Sequence, residues 1–179
     1  MDKYTYKKYL SDEVFGKSKN PLKLLIKWSF VFGKNANFLL RKLQFLEQNR
    51  KGLGYIRYRL VRAKLIKRFG MYINGNVEIG TRLQLPHPNG IVIGSGVVIG
   101  ENCRIYQQVT IGGKNIGDSD HGRMPRIGND CVLFAGCKVL GDIEIGEGTI
   151  VGANSVLTVS TEPHSTYAGI PARRIDKRD

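Results

Sequence analysis

Two histidines, His87 and His121, stand where an otherwise regular repeat is interrupted. Imidazole titrates near neutral pH, so it suits the task of taking a proton from a hydroxyl. His87 lies between Pro86 and Pro88, which stiffen its backbone. His121 has Asp118 and Asp120 as neighbours, carboxylates able to stabilise its charged form. His164, in Glu162-Pro163-His164-Ser165, lies beyond the repeat and reads as structural. No Cys or His pair has zinc-site spacing, so no metal is expected.

The repeat that carries these residues has a period of six. Ile73, Ile79 and Leu85 hold it, then Ile93, Ile99, Ile105 and Ile111, then Ile127, Leu133, Val139, Ile145, Val151 and Leu157. A strand has period two and a helix 3.6, so neither explains it. A coiled parallel β-helix does: each unit is a short strand and a corner, and each coil buries its face on the next. Glycine often follows the aliphatic residue, as at Gly80, Gly94, Gly100, Gly128 and Gly146, and is expected to ease the corner. Cys103, Cys131 and Cys137 fall on a second inward position and read as small buried hydrophobes.

The register breaks twice. Eight residues replace six between Leu85 and Ile93, and the interval from Ile111 to Ile127 is ten residues longer than one unit. The long insert, Gly113 to Pro125, is too polar for a core and predicts a loop folded over a cleft.

The chain has 179 residues, three cysteines and a net charge of +13, which is unevenly spread. Residues 1–70 hold 18 Lys and Arg against 4 Asp and Glu, whereas residues 71–179 hold 10 against 11. The first part reads as a basic helical region, with segments from Pro21 to about Phe32, Ala36 to Gln48 and Leu53 to Phe69, and Gly70 marks the boundary. Its simplest role is a cap packed on the coil; a second is peripheral contact of residues 1–70 with anionic lipid. Nucleic-acid binding is not expected, because no recognition motif accompanies the charge. The absence of an apolar run of spanning length and of a signal-like h-region, with few cysteines, predicts a cytoplasmic protein.

Several motifs then resemble one family in the right order. His87-Pro88-Asn89-Gly90-Ile91-Val92-Ile93-Gly94 resembles the H-x-x-G-I-V-x-G stretch of serine O-acetyltransferases. Gln107-Gln108-Val109-Thr110-Ile111-Gly112-Gly113 resembles their Q-x-V-T-x-G-G, and Pro163-His164-Ser165-Thr166 with Ala168-Gly169-Ile170-Pro171-Ala172-Arg173 their C-terminal stretch. The resemblance implies a mainly β protein: a left-handed parallel β-helix with a small N-terminal α-helical cap, usually a homotrimer. It implies acetyl transfer from acetyl-CoA to a hydroxyl, with His87 as general base and backbone N–H groups near Gly112 and Gly113 steadying the oxyanion. CoA would lie between subunits, against Ala135 and Ala153, with Arg173 and Lys177 at its phosphates. The loop, residues 112–126, would hold the acceptor through Arg123 and His121.

Departures from the family redirect the expected acceptor. The serine enzymes pair their histidine with an Asp 15 residues earlier; here that position is Tyr72, leaving Asn74 or a loop Asp to substitute. Their Arg-His-Pro is here Arg123-Met124-Pro125. With the short cap, these changes resemble capsule and exopolysaccharide acetyltransferases and predict a sugar hydroxyl of a surface glycan as acceptor. Serine is the alternative, and a non-catalytic trimeric scaffold is the third reading.

Overall fold

The computed structural model describes residues 1–15, 32–48 and 50–175. The helix expected from Pro21 to Phe32 lies outside them except for Phe32, and so does Lys177.

The six-residue units wind into a three-sided coil. One side carries β1 (Tyr72–Ile73), β3 (Val92–Ile93), β6 (Thr110–Gly112), β9 (Lys138–Leu140) and β12 (Val156–Leu157). The second carries β2 (Glu78–Ile79), β4 (Val98–Ile99), β7 (Arg126–Ile127) and β10 (Glu144–Ile145). The third carries β5 (Arg104–Ile105), β8 (Val132–Leu133), β11 (Ile150–Val151), β13 (Thr166–Gly169) and β14 (Ala172–Arg174). All pairings are parallel except β13 with β14. The pairing Ile73–Ile93–Ile111–Val139–Leu157 stacks like residues along the interior. The aliphatic residues of the period are all buried, the most exposed at 5%. Each such burial contributes roughly 1.5–3 kcal/mol.

The corner glycines act differently from the expectation. Gly80, Gly100, Gly128 and Gly146 do not have positive φ. A Cβ at Gly80 would stand 2.7 Å from the Gly100 carbonyl carbon, and at Gly100 2.7 Å from that of Gly128. Glycine is therefore required by the approach of the next coil's backbone. The left-handed corner positions fall instead three residues after the aliphatic one, on Arg82, Asn102, Gln108, Asp130 and Asn154 and on a different set of glycines, Gly96, Gly136 and Gly148. The three cysteines are buried and free, and burial pushes the Cys137 thiol up to about 12.

Among the described residues, three helices cover the open start of the coil: α1 (Lys3–Leu10), followed by a π-helical turn at Ser11–Phe15, α2 (Phe32–Glu47) and α3 (Leu53–Phe69). α3 keeps its predicted bounds, while α2 starts four residues before Ala36. No coil precedes the first one, so several of its carbonyls face outward at this end. α2 answers them with one polar face. Asn37 donates to Leu83 O (2.8 Å), Arg41 to Ile79 O (2.8 Å) and Gly80 O, and Gln44 to Val77 O (2.7 Å). Arg41 is fully buried, paired with Glu13 and lying 4.1 Å above the Tyr9 ring. Leu40, Leu65 and Phe69 join the same apolar core as Ile73 and Ile93. The sheet edge, a template for pairing with another chain when left open, is thus closed by side-chain donors.

Candidate active site

The short break lies at the corner between the third side and the first. In successive coils Gly136 N–H bonds Gln107 O and Asn154 N–H bonds Ala135 O, both at 2.9 Å. One coil earlier, the matching donor, Gln108 N–H, bonds Asn89 O at 2.8 Å and passes over His87. The two extra residues are therefore taken up here, and His87-Pro88 bulges from the head of the column Gln107–Ala135–Ala153. His87 O accepts from Asn89 N–H at 2.8 Å, which closes the bulge.

The helices hold this bulge from outside. Phe69 O, at the end of α3, accepts from Gly90 N–H at 2.9 Å. Gly33, in the first turn of α2, lies so close that a Cβ there would come 2.4 Å from Leu85 O. Between them is a cleft of about 720 Å³, with His87 on one wall and Lys67, Arg68 and Phe69 on the other. The imidazole is exposed, with Tyr106 6.3 Å away between centroids and Phe134 stacked 5.2 Å beyond it.

The same corner carries the expected CoA contacts. Ala135 and Ala153 follow Phe134 and Gly152 along the column. Adjacent coils lie about 4.8 Å apart, so Ala153 stands three coils, about 14 Å, from the coil that carries His87. Gly152 N–H bonds Tyr167 O (2.8 Å), placing Ala168 beside it, and Ala168 pairs with Arg173. Arg173 is exposed at the far end of the same column. Small side chains at these positions leave room for a long thin cosubstrate to approach, and a guanidinium at the far end suits a phosphate.

The long break is at a different corner, between the first side and the second. Four residue steps along the first side, from the left-handed turn at Gln108 to Gly112 at the end of β6, separate the two, a distance of about 13 Å. Gly112, Gly113, His121 and Arg123 are thus not brought to His87 within one chain. The insert is organised by Asp118, which is buried. Its carboxylate accepts from Lys114 N–H (2.8 Å), Asn115 N–H (2.6 Å) and Arg123 Nε (3.0 Å). The Asn115 and Lys114 backbone N–H groups, with the Arg123 guanidinium, hold its pKa below the usual carboxylate value against the opposing effect of burial. A Cβ on Gly113 would lie 2.6 Å from Asp118 Cβ, so glycine there makes room for this hub.

Three expectations about neighbours change. His121 Nδ1 pairs with Gly117 O (2.8 Å), because Asp118 is engaged by the loop's own donors. Asn74 lines a separate cleft with Glu47, Arg50 and Tyr58, and so does not replace the orienting carboxylate. Among the described residues no carboxylate bonds the His87 ring, and Tyr72 is exposed on the outer face of β1. Met124 is 4% exposed and is packed into the core at Gly94, where a Cβ would lie 2.6 Å from Met124 Cε. His164, with φ 52°, lies against Gly148, in keeping with a structural role.

The sequence reading missed Lys67 and Arg68, which face His87 because α3 ends beside it. It also missed Gln107, whose Oε1 is buried without a partner, and Lys138, whose Nζ ties Gln108 O to Gly136 O along the column.

The family model "Bacterial transferase hexapeptide (six repeats)" matches residues 124–158. With the fold above, the repeat half is a left-handed parallel β-helix that is similar to serine acetyltransferase-like hexapeptide-repeat proteins. The chain is 41% identical over 111 residues to serine acetyltransferase of Escherichia coli (strain K12), covering 62% of this chain and 40% of that one. It is 44% identical over 116 residues to serine acetyltransferase of Staphylococcus aureus (strain Mu50), covering 64% and 53%. The chain therefore spans about half the length of these relatives. The crystal structure of Neisseria gonorrhoeae serine acetyltransferase in complex with serine is similar over 97% of this chain and 70% of that one, with 26% identity and a TM-score of 0.79.

Proposed function

We propose that this protein transfers acetyl from acetyl-CoA to a hydroxyl, with His87 as general base. The observation that carries the reading is the single corner column that joins His87 to Ala135, Ala153 and Arg173. His87 takes the acceptor proton as the oxygen attacks the thioester carbon, and the proton passes on to the leaving thiolate. No acyl-enzyme is needed. The Tyr106–Phe134 ledge stands beside the imidazole and offers an apolar surface to the bound reactants.

The oxyanion donors near Gly112 and Gly113, and Arg123 with His121, belong to a second copy of the chain. A homotrimer that sets the loop corner of one protomer against the His87 corner of the next unites the two half-sites. The 13 Å gap within one chain supports this arrangement. Sedimentation at equilibrium tests it, with a trimer expected and an active monomer excluding it.

The likeness to serine acetyltransferases supports serine as acceptor over the sugar hydroxyl that the sequence first suggested. A sugar hydroxyl remains the second reading, favoured by Met124, whose buried side chain offers no hydrogen bond to an amino acid, and by the missing carboxylate at Tyr72. CoA release with serine, against a panel of nucleotide sugars and glycans, separates the two. Turnover of serine that stops in His87→Ala is expected. Turnover confined to sugars overturns serine, and turnover that survives His87→Ala overturns the mechanism. Neither turnover nor CoA binding would leave a scaffold.

A further inference from the structure

α3 has two faces, and one is unexplained by the coil. Tyr58, Val61, Leu65 and Phe69 recur at helical spacing and are buried. On the opposite side Leu53, Ile56 and Leu60 lie within about 60° of one another around the helix. They are 73%, 54% and 59% exposed.

Cations flank this apolar strip. Arg57 and Lys64 lie on one side of it, and Arg59 and Arg62 on the other. The helix contains six basic residues and no acid. Among the described residues none of the six is in a salt bridge, whereas Glu13 and Glu47 pair with Arg41 and Arg50 outside this helix. Like charges such as Lys64 and Arg68, four residues apart, destabilise an isolated helix. A groove of about 650 Å³ continues the surface, with Phe38, Leu39 and Leu60 at its floor and Lys42 and Arg57 at its rim. The end of α3 then enters the His87 cleft through Lys67 and Arg68.

We propose that this face of α3 docks on an anionic lipid bilayer surface and holds the His87 cleft at headgroup level. Lipid supplies both things the face lacks: negative charge for the flanking cations and an apolar phase for the strip between them. A second copy of the face brings six more cations and repels it. A nucleic-acid backbone offers nothing to Leu53, Ile56 and Leu60. No helix among the described residues is long and apolar enough to cross a membrane, so the contact is interfacial. Docking does not depend on which hydroxyl is acetylated.

Co-sedimentation of the full chain with vesicles tests this, using phosphatidylcholine alone and a phosphatidylcholine–phosphatidylglycerol mixture. Partition onto the anionic vesicles alone is expected, falling steeply with added salt. Arg57→Gln and Lys64→Gln each lower the partition about fivefold, and Leu60→Ser lowers it about tenfold. These side chains are exposed, so unchanged thermal unfolding checks that the fold is intact. His87→Ala leaves partition unchanged, which separates docking from acetyl transfer. Equal binding to neutral vesicles, no binding to either, or variants that bind like the wild type overturn the proposal. So does a change in oligomer mass of the variants without vesicles, which would make the face an interface between copies.

Discussion

The two breaks in the repeat are stabilised in opposite ways. The short one is held from outside: Phe69 O takes Gly90 N–H, and Gly33 presses on Leu85 O. The long one is held from within by a single buried carboxylate that gathers two backbone N–H groups and a guanidinium. An insertion too short to fold on itself must borrow its geometry from neighbouring elements. One of thirteen residues can close its own network. His87 is thus positioned by the helices and Arg123 by the loop, so the two regions can be perturbed separately.

The largest expected effect is at the short break. His87→Ala lowers kcat about 10²–10⁴-fold in a CoA-release assay, while the loop at the other corner keeps its protection from proteolysis. Gly33→Ala pushes a methyl group into Leu85 O without touching substrate. A shift of about 1 Å in the bulge costs on the order of 10²-fold in kcat, with KM for acetyl-CoA unchanged. An unaltered kcat would show that the helices do not position His87.

Asp118→Asn tests the long break. It keeps the shape but removes the charge, and proteolysis between Gly113 and Pro125 rises about tenfold, with a higher acceptor KM. The pH dependence follows from the lowered pKa. Asp118 contributes fully above the ordinary carboxylate value of about 3.9, and that contribution is lost as pH falls through its lower folded value. Acid therefore opens the wild-type loop only below about pH 4, and the Asn variant lacks this transition when followed by proteolysis with an acid protease. The smallest effect is at the far end of the column. Arg173→Gln raises KM for acetyl-CoA roughly fivefold, as fits an exposed ion contact, and added salt mimics it.

Much of this was legible in the residues. The six-residue period fixes strands, interior and breaks, because each aliphatic side chain of the period must find the same buried line in every coil. The buried cysteines follow from the same patterning, and the bounds of α3 follow from its own helical spacing and the glycines that flank it. Less visible was the face Asn37, Arg41 and Gln44. Its polar residues at helical spacing look like a solvated surface, yet they are buried because the first coil presents carbonyls with no earlier strand to satisfy them. The corner glycines were seen for a reason that the structure replaces: they are packed against backbone, and residues such as Asn102 and Asp130 take the left-handed turns.

The sequence by itself determined the coil, the places where it breaks and the histidine in the tightest break, since periodic burial is a local rule repeated along the chain. Only the tertiary structure decided which residues meet. It put His87, Ala135, Ala153 and Arg173 on one corner and Gly112, Gly113, His121 and Arg123 on another, and it turned Lys67 and Arg68 toward His87. Those juxtapositions come from the winding of the coil and the docking of two helices, distances that no spacing along the chain encodes.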